Sequence, residues 1–71
     1  MKADQKIIVT GQQARQILNE ILEHDGYMYK QGYVGYFQAG DSYVAFDNTT
    51  ADCWVEEFES KEDAVQWINE A

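Results

Sequence analysis

The sequence predicts a small two-layer α+β domain, in which a three-stranded antiparallel meander is covered by two helices. Three short β-rich runs joined by turn signals lie between Tyr33 and Phe58. An amphipathic helical pattern precedes them, and a second one follows Ser60. Two amphipathic helices on one sheet face bury both apolar stripes. We therefore expect the order helix, three strands, helix, with both helices on one sheet face and residues 1–71 forming one domain.

Composition restricts the class of protein. The chain has 71 residues, of which 45% are hydrophobic and 14% aromatic, and this is too apolar for a disordered chain. Its single cysteine, Cys53, excludes the intrachain disulfides that small secreted domains usually need. The apolar run near the start, residues 7–9, is too short for a signal peptide or a membrane span. We expect a cytoplasmic location and no membrane partner.

The acidic charge is concentrated in the second half of the sequence. Residues 1–40 contain four acidic and four basic residues, which cancel. Residues 41–71 contain nine acidic residues and only Lys61 as a base, which accounts for the whole net charge of −8. Such a surface repels phosphate backbones, so direct nucleic-acid binding is not expected, and it attracts a basic partner.

The first helix has a clear start. Residues 1–5 are polar and predict a loose terminus. Residues 6–9 favour β-structure and either add a short extra strand at the sheet edge or only brace the helix that follows. Thr10 is a candidate N-cap, with Gln13 completing a capping box. The helix then carries one apolar stripe at helical spacing, made of Ala14, Ile17, Leu18, Ile21 and Leu22.

The end of this helix is predicted by a glycine. Gly26 can take the positive φ of a C′ residue, and Tyr27 would then contact Leu22 in a Schellman motif. His24 falls in the last turn, where a helix-capping histidine meets the negative end of the dipole. It has no partners at metal-ligand spacing. Residues 27–32 form a connector or the early part of the first meander strand.

The lengths of the two turns set the predicted register of the meander. A three-residue loop at 39–41 would pair Gln38 with Ser42, and a four-residue loop at 48–51 would pair Asp47 with Asp52. The second pairing brings like charges together, which weakens it. Alternation then gives two faces. The covered face would carry Val34, Tyr36, Val44, Phe46, Cys53 and Val55. The other would carry Tyr33, Gly35, Phe37, Tyr43, Ala45, Trp54, Glu56 and Phe58.

The last element is a helix with Ser60 as N-cap and Asp63 completing a box. Acidic residues in its first turn are favourable at the positive end of the helix dipole. Its inward stripe consists of Ala64, Val65 and Ile68, with Trp67 at the margin. This helix would complete the layer above the meander.

The open sheet face is the candidate binding surface. In the register above, the indole of Trp54 would lie over Gly35 and Ala45. An aromatic shelf with carboxylates at its rim suits a partner that carries Lys or Arg, through cation–π contacts and ion pairs. The candidate binding residues are Tyr33, Phe37, Tyr43, Trp54, Glu56 and Phe58. The competing interpretation is a second core layer, covered by the chain itself or by a second copy.

The remaining polar residues do not predict chemistry. The carboxylates of the second half are spread over turns and a strand end, as expected of a solvated acidic face, and the loop D-N-T-T-A-D lacks the ligand pattern of an EF-hand. Cys53 is expected to be a small buried hydrophobic residue. The glycines form neither a dinucleotide-binding nor a P-loop pattern. We expect no metal, no cofactor and no enzymatic activity.

These observations favour a non-enzymatic protein-interaction or regulatory module that binds a basic protein partner, or itself, through the aromatic and acidic face. One alternative is a nucleic-acid mimic that occupies the DNA-binding groove of another protein. A second is a homo-oligomer with the aromatic face as the subunit interface. A small enzyme or ligand-binding protein is disfavoured, because a two-layer domain of this length has little room for a pocket of about 300 Å³ or more.

Overall fold

The computed structural model describes residues 6–24 and 29–70, which form two helices and a four-stranded mixed sheet of the α+β class. The strands lie in the order β1-β2-β3-β4, so they are neighbours in chain order. The elements are β1 (Ile7–Thr10), α1 (Gly11–Glu23), β2 (Tyr33–Ala39), β3 (Ser42–Asp47), β4 (Trp54–Phe58) and α2 (Lys61–Asn69).

The possible strand at residues 6–9 is confirmed as β1. It pairs in parallel with β2, in a register that places Ile7 opposite Tyr33 and Thr10 opposite Tyr36. Two neighbouring strands that run in parallel require a crossover connection, which returns the chain to the end of the sheet where the first strand began. Helix α1 forms this crossover, so the first half of the fold is a βαβ unit.

The antiparallel meander of β2, β3 and β4 is confirmed, but the first hairpin differs from the expected register by one residue. Ala39 pairs with Ser42, so the loop has two residues, Gly40 and Asp41. Gly40 has a φ of +65° and Asp41 has no positive φ, a combination typical of a type II′ hairpin turn. A slip of one residue moves the side chains of one strand to the opposite face relative to its neighbour.

The second hairpin is shifted by two residues, which preserves the predicted faces of β3 and β4. Asp47 pairs with Trp54, and Phe46 pairs with Val55. The connecting loop therefore spans residues 48–53 instead of 48–51. Asp47 is not paired with Asp52, so the like-charge pairing of the predicted register does not occur.

The two helices pack against opposite faces of the sheet, so the prediction that both cover one face is wrong. Phe37 and Phe46 lie in the core with α1, whereas Val34 and Ala45 lie in a second core with α2. Because the one-residue slip combines odd positions of β2 with even positions of β3, both faces acquire apolar side chains. The α1-side core is Val9, Ala14, Ile17, Leu18, Ile21, Phe37 and Phe46. The α2-side core is Val34, Ala45, Ala64 and Ile68.

Helix α1 starts at a glycine that turns the chain out of β1. Gly11 has a φ of +64°, and Thr10 occupies the N-cap position without a side-chain hydrogen bond. Thr10 is therefore the N-cap residue as predicted, but the predicted capping box is wrong, because the Thr10 side chain accepts no hydrogen bond from the first turn. At the other end His24 caps the helix as predicted, with its Nδ1 2.9 Å from the carbonyl oxygen of Glu20. The predicted terminus at 1–5 and helix end at 26–27 lie outside the described residues.

Helix α2 is held at both ends. The Ser60 hydroxyl oxygen accepts a hydrogen bond from the backbone N–H of Asp63 at 3.2 Å, as predicted. At the C-terminal end Lys6 Nζ donates to the carbonyl oxygen of Ile68 at 3.1 Å. A cation at this position interacts favourably with the negative end of the helix dipole. The residue before β1 thus ties the first strand to the last helix.

Gly35 permits the close approach of β1 to β2, and we predict that Gly35→Ala lowers the free energy of unfolding by about 2–3 kcal/mol. A Cβ atom there would overlap the carbonyl oxygen of Val9 and lie 2.8 Å from Val9 Cγ2. Urea unfolding measures the change. Gln38→Ala, at an exposed position of the same strand, is the control, with an expected change below about 0.5 kcal/mol. Equal midpoints for the two variants would contradict this packing.

Candidate functional site

A groove between β4 and α2 combines both tryptophans of the sequence with three carboxylates. Its lining residues are Asp47, Trp54, Glu56, Trp67 and Glu70, and we call it the tryptophan groove. Its volume of about 350 Å³ is larger than the expected upper limit of about 300 Å³ and lies at the lower end of the range for small-molecule pockets. The groove therefore suits a single side chain better than a large ligand.

Strand β4 and its neighbour supply one wall of the groove. Trp54 and Glu56 are two residues apart in β4, so they project from the same face. Asp47 lies directly opposite Trp54 on β3, which places its carboxylate beside the indole. The carboxylate of Asp47 is also fixed by its own turn, since Oδ1 accepts hydrogen bonds from the backbone N–H and the hydroxyl of Thr49 at 2.9 and 2.7 Å.

Helix α2 supplies the other wall. The ring of Trp67 lies 5.9 Å from the ring of Phe58, with an angle of 53° between the planes, which is a favourable tilted aromatic contact. Glu70 is the C-cap residue of α2, and its Oε2 accepts a hydrogen bond from Nε2 of Gln66 at 3.3 Å. Packing against Phe58 thus fixes the position of Trp67. The hydrogen bond from Gln66, one helical turn earlier, fixes the carboxylate of Glu70.

Trp54 is the most exposed aromatic side chain of the groove. Its relative exposure is 62%, whereas Trp67 is half-buried. A large indole in contact with water is free to contact a ligand without any rearrangement of the core. Three carboxylates line the same groove, and no Lys or Arg is among its described lining residues. The electrostatic character of the groove therefore favours a cation.

The loop that leads into Trp54 is fixed by a buried asparagine. Asn48 is fully buried, and its Nδ2 donates to the carbonyl oxygens of Tyr29 and Lys30 at 2.8 and 3.1 Å. Ala51 and Cys53 in the same loop have positive φ, which is uncommon for residues other than glycine. Strain of this kind persists only where surrounding contacts enforce it. The carbonyl oxygen of Asn48 accepts a hydrogen bond from the backbone N–H of Ala51 at 3.3 Å, so this buried residue restrains the start of the loop.

Cys53 precedes Trp54 and packs at the edge of the α1-side core, as a partly buried residue. Burial raises the pKa of its thiol above the ordinary value, and the nearby charge of Asp47 raises this pKa further. The thiol is therefore protonated at neutral pH, which makes it a poor nucleophile. Cys53 was expected to be a small buried hydrophobic residue; it packs against the α1-side core as expected, but it is only half-buried.

The structure divides the six predicted binding residues into three sets. Trp54 and Glu56 line the groove. Tyr43 and Phe58 lie on the same face but pack against the α2-side core. Tyr33 and Phe37 were predicted to share this face, and that prediction is wrong, because the one-residue slip of the first hairpin turns them toward α1. Gly35 likewise lies beside Val9 and Phe46, away from the Trp54 indole.

Three groove residues were missed by the sequence analysis, namely Asp47, Trp67 and Glu70. The position of Trp67 in the sequence could have indicated its role, since it falls at the margin of the α2 stripe, where a side chain is only half inside the core. Asp47 had none, because its position depends on the length of the loop at 48–53. Glu70 lies beyond the apolar stripe, and only the packing of α2 on the sheet brings it to the groove.

The comparisons with known proteins were negative: no protein-family model, no curated protein and no solved structure matches this chain. In the described residues no helix is long and apolar enough to cross a membrane. Nor do three His, Cys, Asp or Glu side chains within 6–24 and 29–70 come together in a group that could hold a metal ion.

We predict that Asn48→Ala lowers the free energy of unfolding by about 2 kcal/mol, because the carbonyl oxygens of Tyr29 and Lys30 lose their buried donor. The variant should also change the fluorescence of Trp54, since Asn48 fixes the loop before it. Thermal or urea unfolding provides the first measurement and the emission maximum the second. Thr50→Ala, at an exposed position of the same loop, should change neither quantity. Unfolding of Asn48→Ala at the wild-type midpoint would contradict this role.

Proposed function

We propose that the protein is a non-enzymatic interaction module that binds a basic protein partner by taking a Lys or Arg side chain into the tryptophan groove. The observation that carries the proposal is the convergence of two indoles and three carboxylates on one open groove, with Trp54 62% exposed. Aromatic faces and carboxylates attract the same chemical group, a cationic side chain with an apolar stem.

The two indoles supply complementary contacts. A guanidinium or ammonium group within about 6 Å of an indole face is attracted by the negative face of the ring, and Trp is the strongest of the aromatic residues in this respect. Trp67 is positioned by Phe58, whereas Trp54 is open to solvent. A side chain that enters the groove would therefore contact one indole already fixed in place and a second that can close over it.

The carboxylates add charge and direction. Asp47, Glu56 and Glu70 line three parts of the same groove. The planar guanidinium of Arg offers five N–H donors and can bind a carboxylate with two parallel hydrogen bonds, so Arg fits the groove better than Lys does. The excess of acidic residues beyond position 40 would also speed the approach of a basic partner.

The nucleic-acid-mimic alternative makes a different use of the same acidic residues. A mimic presents carboxylates that replace a row of phosphates, and its binding falls steeply as salt concentration rises. An aromatic contact is much less sensitive to salt. The arrangement of three carboxylates around two indoles favours recognition of a single cation over imitation of a phosphate chain.

The proposal is tested with the peptide acetyl-Gly-Arg-Gly-amide and its citrulline counterpart, which has nearly the same shape without the charge. The arginine peptide should shift the indole N–H resonances of both tryptophans in NMR titrations, and the citrulline peptide should not. Trp54→Ala should weaken binding of the arginine peptide by about two- to fivefold, as expected for a cation–π contact at an exposed site. Because Trp54 is exposed, the fold should be unaffected.

The control is Leu22→Ala. Leu22 is 57% exposed, like Trp54, but it lies on α1 away from the groove. This variant should bind the arginine peptide as the unchanged protein does. Equal binding of the arginine and citrulline peptides, or wild-type affinity of Trp54→Ala, would refute the proposed function.

A further inference from the structure

Strand β4 is an open edge of the sheet. In the described part of the chain it pairs with β3 on one side only. Residues 54–57 are all exposed, including Trp54 and Val55 at 62% and 46%. An edge strand presents unpaired backbone N–H and C=O groups to which another strand can add. The Trp54 side of this edge borders the tryptophan groove.

The hairpin turns show which backbone groups of β4 are free. Ala39 and Ser42 flank a two-residue loop, so they form a hydrogen-bonded pair, and the even positions of β3 bond to β2. The hydrogen bond from the Asn48 N–H to the Tyr33 carbonyl oxygen, at 2.9 Å, fits this pattern, because it also joins an even position to β2. The odd positions of β3 consequently bond to residues 54, 56 and 58 of β4. Val55 and Glu57 then direct their backbone groups outward.

The side chains of β4 define what an added strand must carry. Glu56 projects to the groove side, and Glu57 projects to the opposite face. In an added strand, the residues opposite these two are consecutive and also point to opposite faces. Two adjacent basic residues would therefore meet one glutamate each. Two basic residues separated by one residue would both lie on the same face of the sheet, so only one of the two glutamates could be directly opposite a basic residue.

Charge disfavours a second copy of this chain as the added strand. Antiparallel pairing of two β4 strands about their centre would place Glu56 of one copy directly opposite Glu56 of the other, which is unfavourable. Each copy has a net charge of −8, so the two chains repel each other as wholes. A basic extended segment of a partner has the complementary charge.

We infer that β4 binds an extended segment with two adjacent basic residues by strand addition, so that one basic side chain enters the tryptophan groove and the next pairs with Glu57. This inference rests on the proposed function, since it names the partner segment for the same groove. The affinity would come from backbone hydrogen bonds at Val55 and Glu57, and the specificity from the two alternating acidic side chains.

The test compares Val55→Pro with Val55→Ala. Proline at 55 removes an outward N–H and no bond to β3, so the edge strand should still form, whereas alanine keeps that N–H. The test peptides are acetyl-Thr-Val-Thr-Lys-Arg-Thr-Val-Thr-amide and an isomer of identical composition, with Thr between Lys and Arg. We expect the adjacent peptide to bind about threefold more tightly than the isomer. We expect Val55→Pro to weaken its binding at least tenfold relative to Val55→Ala.

A second measurement does not depend on folding of the proline variant. Two further peptides carry an N-methyl group on the Lys or on the Arg of the adjacent sequence. In an added strand only one of these two N–H groups points toward β4. One methylated peptide should therefore lose binding at least tenfold, while the other binds as the parent does.

The outcomes separate this inference from the proposed function. Equal affinities for Val55→Pro and Val55→Ala, or for the two methylated peptides, would overturn strand addition, while dependence on Trp54 would leave the groove as a binding site. If Trp54→Ala bound the arginine peptide as tightly as the unchanged protein does, the proposed function itself would be overturned. A dimer in sedimentation experiments that Val55→Pro dissociates would assign the edge to a second copy and would also overturn the inference.

Discussion

The register of the first hairpin determines which side chains of this small fold can meet. A two-residue turn at Gly40 and Asp41 pairs Ala39 with Ser42, and this single pairing aligns the odd positions of β2 with the even positions of β3. Phe37 and Phe46 then share one face, and Val34 and Ala45 share the other. Because both faces are apolar, each requires its own helix. The helix–sheet–helix arrangement follows from the turn.

The two faces have different characters. The α1 side is closed by an aliphatic and aromatic core, in which Gly35 lets β1 approach β2 closely. The α2 side has a smaller core, and its outer margin at β4 leaves Trp54 exposed beside Trp67. The exposure of Trp54 alone does not indicate a partner, since Leu22 is almost as exposed, but Trp54 is the exposed side chain that lies among carboxylates and beside a second indole. This contrast places the candidate binding surface at the margin of the α2 layer.

Most elements could be predicted from local patterns, but the way the strands face each other could not. The α2 stripe, the Ser60 cap, the possible strand at 6–9 and the α1 stripe depend on nearby residues only, although Leu22, predicted as part of the α1 stripe, is exposed. The faces of β2 depend on whether the loop at Gly40 has two or three residues, and the Gly40-Asp41 pair, typical of a type II′ turn, was the available signal. Trp54 and Glu56 were predicted together because they belong to one strand, whereas Trp67 and Glu70 join them only through the docking of α2.

The most direct test of this account is the pattern of Hα–Hα contacts between β3 and β4 in a NOESY spectrum. Pairs without mutual hydrogen bonds bring their Cα atoms to about 4.5 Å, which gives strong Hα–Hα cross-peaks. The register and the turn together predict such cross-peaks between Val44 and Glu57 and between Phe46 and Val55. A strong cross-peak between Val44 and Val55 would contradict the account, because it would require the shorter loop and would remove Trp54 from its position opposite Asp47.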